Sequence, residues 1–226
     1  MDDRSEVMET TRFSRFELAF MLAVPLGWAI LLLFHPNPTK DIYAGLRGEA
    51  TTWLIVHLGS LVFIGLLGAV FRLLTRGMPG RAAKVSRLAV TPFVLFYGAG
   101  EAILGVATGV LVQHADSVPA AEQPAAAAAV QALWSNVIAA DVIIGLGSIA
   151  WAVAVIAAGV AHRLAGASLG VAILLGVSAM AVVHTAPFGQ VGLACLTAGI
   201  AWLGWGQHAS EAREGTPSRL KIARRQ

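Results

Sequence analysis

The chain has 226 residues, 57% of them hydrophobic and only 13% charged, with a mean hydropathy of +0.71. Soluble domains carry about 25% charged residues, so a water-soluble helical domain is excluded. The net charge of +3 comes from basic residues beside the ends of apolar runs, where membrane orientation accounts for them, and no nucleic-acid partner is expected. Cys195 is the single cysteine and sits inside an apolar run, which excludes a disulfide framework and a CxxC site.

Residues 1–16 are polar and of mixed charge, and read as a cytoplasmic tail. Six apolar runs then fill a membrane domain over residues 17–206: Glu17–Phe34, Thr52–Leu74, Leu88–Val112, Ala127–Ala161, Ala167–Thr185 and Phe188–Gly206. Each is near or above the ~20 residues a helix needs to cross a hydrocarbon core of ~30 Å. The fourth is too long for one crossing, and its Ala-rich start at Ala125–Ala129 predicts a helical extension outside the hydrocarbon, with Trp134 marking the interface. Pro187 and Gly189 predict a tight hairpin between the fifth and sixth runs. Residues 207–226 form a basic cytoplasmic tail.

With the N-terminus inside, all Lys and Arg except Lys40 and Arg47 fall on the cytoplasmic side. The positive-inside rule therefore predicts an all-α polytopic bundle of about six transmembrane helices with both termini cytoplasmic. The expected location is a bacterial plasma membrane, with the lipid bilayer as obligate partner and a homo-oligomer allowed by the chain's small size. An inverted three-plus-three repeat would place equivalent groups on opposite faces. His57 and His184 both fall near outer ends, which argues against that design.

Charges retained inside apolar spans are functional suspects, because lipid makes them costly. Four stand out: His57 in the second run, Glu101 in the third, Asp141 in the fourth and His184 at the outer end of the fifth. Tyr97, Glu101 and Thr108 share a stripe with Gly98 and Gly105; Trp134, Asp141, Gly145 and Ser148 share another. Asn136 and Gln190 lie close enough in the predicted topology to join a binding site. The expectation is one outward-opening polar pocket in the outer half of the bundle, holding at least three of His57, Glu101, Asp141 and His184. His35-Pro36-Asn37-Pro38 is read as the end of the first span.

Three chemistries suit this set. Two imidazoles and two carboxylates are a first shell for a divalent metal, with His57, His184, Glu101 and Asp141 as ligands. His57 and His184 on separate helices are also the axial pair of a b-type haem. Without either, Glu101 and Asp141 are candidate catalytic acids or bases, with His57, His184, Tyr97, Asn136 and Gln190 binding a small hydrophobic or ionic ligand. A proton-coupled permease and a scaffold subunit whose polar residues only fix helix register are the competing readings. For His57 the bland reading is a hydrogen bond to a backbone carbonyl or to Ser60.

Overall fold

The computed structural model describes residues 13–37 and 41–214, and every element among them is helical. Helix α1 (Arg15–Leu31) starts from a capping box: Ser14 Oγ accepts the Glu17 amide at 3.2 Å, and Glu17 accepts the Ser14 amide at 2.9 Å. A 3-10 turn, Leu32–Phe34, ends it. Short α2 (Ile42–Leu46) is capped by Asp41, whose Oδ1 accepts the Ala44 amide at 3.0 Å. Helix α3 (Ala50–Leu74) is a full span. Helix α4 (Arg81–Ser117) is continuous but contains two π-helical stretches, Phe93–Tyr97 and Glu101–Ala107. Pro92, with no N–H to donate, immediately precedes the first.

The long fourth run, expected to be one helix with an extension beyond Trp134, is interrupted instead. Helix α5 (Gln123–Trp134) is separate, and Ser135–Asn136 breaks it from a π stretch, Ile138–Ile143, that leads into α6 (Ile144–Leu164). Gly166, at φ +96°, turns the chain in the left-handed region open to glycine. The fifth run is shorter than its apolar composition suggests. Instead of a span over Ala167–Thr185 it forms α7 (Leu169–Val177) and a 3-10 turn, Ser178–Val182. At ~1.5 and ~2.0 Å per residue that is about 23 Å. Ser178 explains the change: its hydroxyl donates to the Leu175 carbonyl at 2.5 Å and its carbonyl accepts the Trp151 indole at 3.0 Å, tightening the chain where an α-helix would continue. After the turn at Val183–Pro187, α8 runs over Phe188–Glu214. Five helices are long and apolar enough to cross a membrane, and α7 with its 3-10 turn is a sixth, shorter apolar leg.

The legs close into a ring: α1 packs on α3 and α8, α3 on α4, α4 on α6, α6 on α7, and α7 on α8. Their shared core includes Met21, Trp28, Phe71, Phe93 and Trp151, with Trp151 edge-on to Phe71 at 5.2 Å and tilted on Phe93 at 4.8 Å. Trp28 donates its indole hydrogen to Ser60 at 2.9 Å and ties α1 to α3. The outer faces leave large apolar side chains exposed, among them Leu26, Ile30, Ile55, Val62, Ile149 and Ile156. A bilayer covers such a belt without the penalty water would impose.

At the end where α3 runs into α4, side chains from α4 and α6 satisfy carbonyls that a helix terminus leaves open. Arg87 donates to Thr75 and Met78 at 2.6 and 3.3 Å, and buried His162 donates from Nε2 to Leu74 at 3.0 Å. The predicted tails fall mostly outside the described residues, as does Lys40; Phe13–Phe16 already lead into α1, and α8 continues to Glu214.

Candidate metal centre

Near the N-terminal end of α3, a second, smaller core of Ile42, Leu46, Ala50, Trp53, Val112 and Val130 joins α2, α5 and the end of α4. Tyr43 donates its hydroxyl to Asp116 Oδ1 at 2.8 Å, and Arg47 pairs with the same oxygen at 3.3 Å, pinning α2 to α4. The Asp116 carboxylate accepting that hydrogen raises the Tyr43 phenol above its ordinary pKa. Trp134 belongs to this cap, edge-on to Trp53 at 5.9 Å.

Trp53 is the link between cap and site. Its indole donates to the Gly105 carbonyl at 2.7 Å, and its own carbonyl lies 2.8 Å from His57 Nδ1. A carbonyl only accepts, so His57 carries its proton on Nδ1 and turns an Nε2 lone pair inward. The ring fits because residue 105 is glycine: a Cβ there would stand 2.0 Å from His57 Cδ2.

Three imidazoles converge beside Glu101. His35 lies 5.0 Å, ring centre to ring centre, from both His57 and His184, and His57 lies 6.0 Å from His184. One ligating atom from each of His35, His57 and His184 falls within 4.8 Å of the others. Glu101, only 2% exposed, reaches between them, with Oε2 3.8 Å from His57 Nε2 and Oε1 3.6 Å from His184 Nδ1. Tyr97 fixes His184. Its hydroxyl donates to the Val182 carbonyl at 2.8 Å, so at 3.1 Å it accepts from His184 Nδ1 and leaves that residue's Nε2 lone pair free. Gly189 lets α8 begin against His184, since a Cβ there would meet the His184 Cα at 2.8 Å.

The arrangement has unmet demands. Both ring nitrogens of His35 and Glu101 Oε2 are buried without a hydrogen-bond partner, as are Thr108 Oγ1 and Gln190 Oε1. Each such atom costs about 1–3 kcal/mol if left so. A divalent cation answers the shortage at the centre, because it accepts lone pairs from neutral imidazoles and from a carboxylate together. Tetrahedral ligation at ~2.0–2.1 Å sets nitrogens about 3.4 Å apart, so the three rings need to close by about an ångström. His35 and His184 both stand on irregular chain just beyond helical turns, where that adjustment is easiest. A porphyrin does not fit: the His57 and His184 ring centres stand only 6.0 Å apart, with the Glu101 carboxylate reaching between them.

The four suspected side chains divide three to one. His57, Glu101 and His184 come together with Tyr97, whereas Asp141 is exposed and stands outside the cluster. Its presumed stripe does not exist as one face. The break at Ser135–Asn136 and the following π stretch shift the register, and Gly145 meets open space. Ile144 and Gly147 turn toward α4 instead, against Gly100 and the Tyr97 backbone. Asn136 is also exposed, its Oδ1 accepting the Ala139 amide at 3.1 Å as a helix cap. Gln190 is half-buried and donates to the Leu32 carbonyl at 3.0 Å, which holds the end of α1 against α8.

His35 is the residue that sequence reasoning passed over, taking it as the last residue of a span. A histidine held by the following proline at the hydrocarbon boundary was the available signal. Among the three histidines and Glu101, only His184, at 24%, has appreciable exposure. No protein-family model matches the chain, and neither does any curated protein or solved structure.

Proposed function

We propose that the protein is a multi-pass membrane protein whose outer half holds one divalent metal ion, bound by His35, His57 and His184, with Glu101 as fourth ligand or as the base beside the open position. The observation that carries this reading is the convergence of three imidazoles from separate segments, with the two His35 nitrogens buried and unpartnered. His57 and His184 each hand their Nδ1 proton to an oxygen, which is how metal-ligating histidines are oriented. Three neutral imidazoles and a carboxylate suit zinc first, and ferrous iron or manganese after it. Such a centre supports Lewis-acid and acid–base chemistry on an oxygen-bearing substrate, with Glu101 placed to take or give the proton.

Detergent-purified protein should contain close to one equivalent of zinc, iron or manganese by elemental analysis, and the His35→Ala and His184→Ala variants should contain none. Purified protein that is metal-free and fails to take up zinc on titration would sink this reading. In that case a proton-carrying or register-fixing role for Glu101 becomes the better account.

A further inference from the structure

The turns that carry His35 and His184 are flanked by exposed apolar side chains. His184 is the most exposed member of the centre, and the large side chains flanking these turns are Leu33 and Phe34 at the end of α1, Val183, and Phe188 at the start of α8, 48–68% exposed. The hydrogen bond from Gln190 to the Leu32 carbonyl brings these two chain ends together. On the other side the α2–α5 cap, latched by Tyr43 and Arg47 on Asp116, packs on Trp53, whose ring lies 4.1 Å from that of His57.

The level of these side chains matters as much as their apolar character. The 20 residues of Arg15–Phe34 and the 19 of Phe188–Gly206 each span close to ~30 Å, the thickness of the hydrocarbon core. Phe34 and Phe188 therefore end at the boundary between acyl chains and headgroups. A water-soluble substrate would have to pass a roof of packed tryptophan and aliphatic side chains, or an apolar rim. A lipid-like molecule already has its polar group at this depth and its chain in the phase that bathes the rim.

We infer that the centre takes a membrane amphiphile, whose headgroup oxygen reaches the metal sideways from the bilayer past His184. This rests on the metal-centre reading and adds the substrate class and the route. Leu33, Phe34, Val183 and Phe188 are the residues that meet the chain.

The test uses the full chain in lipid nanodiscs loaded with Co2+, whose visible bands report its ligands. Two probes share one oxygen-donor headgroup: dodecanohydroxamic acid, which partitions into the bilayer, and acetohydroxamic acid, which stays in water. The long-chain probe should shift the cobalt bands at a few mole per cent of lipid, while the short one leaves them unchanged. Val183→Trp, which narrows the rim without touching a ligand, should slow the shift about tenfold or more with the resting spectrum unaltered. Acetohydroxamic acid shifting the bands as readily as its long-chain relative would overturn the lateral route. So would a long-chain response indifferent to both Val183→Trp and Phe188→Trp, or a normal cobalt spectrum that neither probe changes. A wild-type protein with no cobalt spectrum refutes the metal centre itself, and the inference falls with it.

Discussion

Gly105→Ala places a methyl group where the His57 ring lies. The added Cβ would stand 2.0, 2.4 and 2.8 Å from His57 Cδ2, Cγ and Cβ, against 3.4 Å or more for an ordinary contact. The ring must retreat by about 1.4 Å, or the helices must part. Metal–nitrogen bonds tolerate only about 0.2 Å, and His57 is tethered through Nδ1 to the Trp53 carbonyl, so a retreat of that size withdraws Nε2 from the centre. Weakening a ligand's outer support costs 10–100-fold in metal affinity, and displacing the ligand itself should cost at least about 100-fold. Competition against a chromophoric chelator measures this directly. The control is Gly98→Ala, on the same helix, whose new methyl meets nothing within 4 Å and should leave affinity unchanged. Overpacking alone destabilises by about 1–3 kcal/mol, so thermal unfolding of both metal-free variants is measured alongside. Trp53→Phe gives a second route to the same outcome, because it removes the indole donor to the Gly105 carbonyl without adding volume. Zinc affinity within threefold of wild type in both Gly105→Ala and Trp53→Phe would refute the seating of His57 described above.

His35→Ala should abolish the rise in melting temperature that zinc gives the wild type, about 2.7 kcal/mol when free metal is 100 times the dissociation constant. In the metal-free form the loss of two buried unpartnered nitrogens offsets much of the ring packing lost on Trp53, His57 and His184, so its stability should fall by less than about 2 kcal/mol; differential scanning calorimetry reads both. Tyr97→Phe leaves the Val182 carbonyl without its hydroxyl partner and His184 without its orienting acceptor, so zinc affinity should fall about tenfold in the same chelator assay while the fold persists. Asp141→Asn should bind one equivalent of zinc like wild type, and loss of the metal on that change would return Asp141 to the centre. Asp116→Asn should let the Tyr43 phenol titrate closer to its ordinary pKa, seen as an earlier absorbance rise near 295 nm. Because the neutral phenol is the bonded form, the Tyr43–Asp116 contact holds below the raised pKa and is lost as pH climbs through it.

Apolar run length made the all-helical, membrane-spanning character legible in the sequence. An extension at the start of the fourth run followed from its being too long for one crossing, though the break after Trp134 did not. The shortening of the fifth leg did not, since Ser178 tightens the chain only because Trp151 lies opposite to donate to its carbonyl. Within the site, Tyr97 and Glu101 were readable because their stripe survives the π stretches of α4 as a buried face. The equivalent reading of Asp141 failed because helical spacing assumes an unbroken α-helix, and the chain is interrupted at Ser135–Asn136. His35 was invisible for a different reason. Nothing local says that the chain beyond Phe34 turns inward onto Trp53 and His57 instead of leaving for water.

The π-helical turns of α4 also make chain length a property of the site. A turn bonded i to i+5 stores one residue more than the α-turn it replaces. Removing one residue from Glu101–Ala107 lets that turn relax to ordinary winding while the helix beyond keeps its present phase. Gly109 then keeps its seat against Trp53 and Leu54, while the bulge that sets Gly105 against the His57 ring is lost. Single-residue deletions in this stretch are therefore expected to leave α4 in register beyond Thr108 and to weaken metal binding through the lost seat of His57. Chains that share this site are expected to vary here by substitution and to keep the residue count between Tyr97 and Thr108 constant.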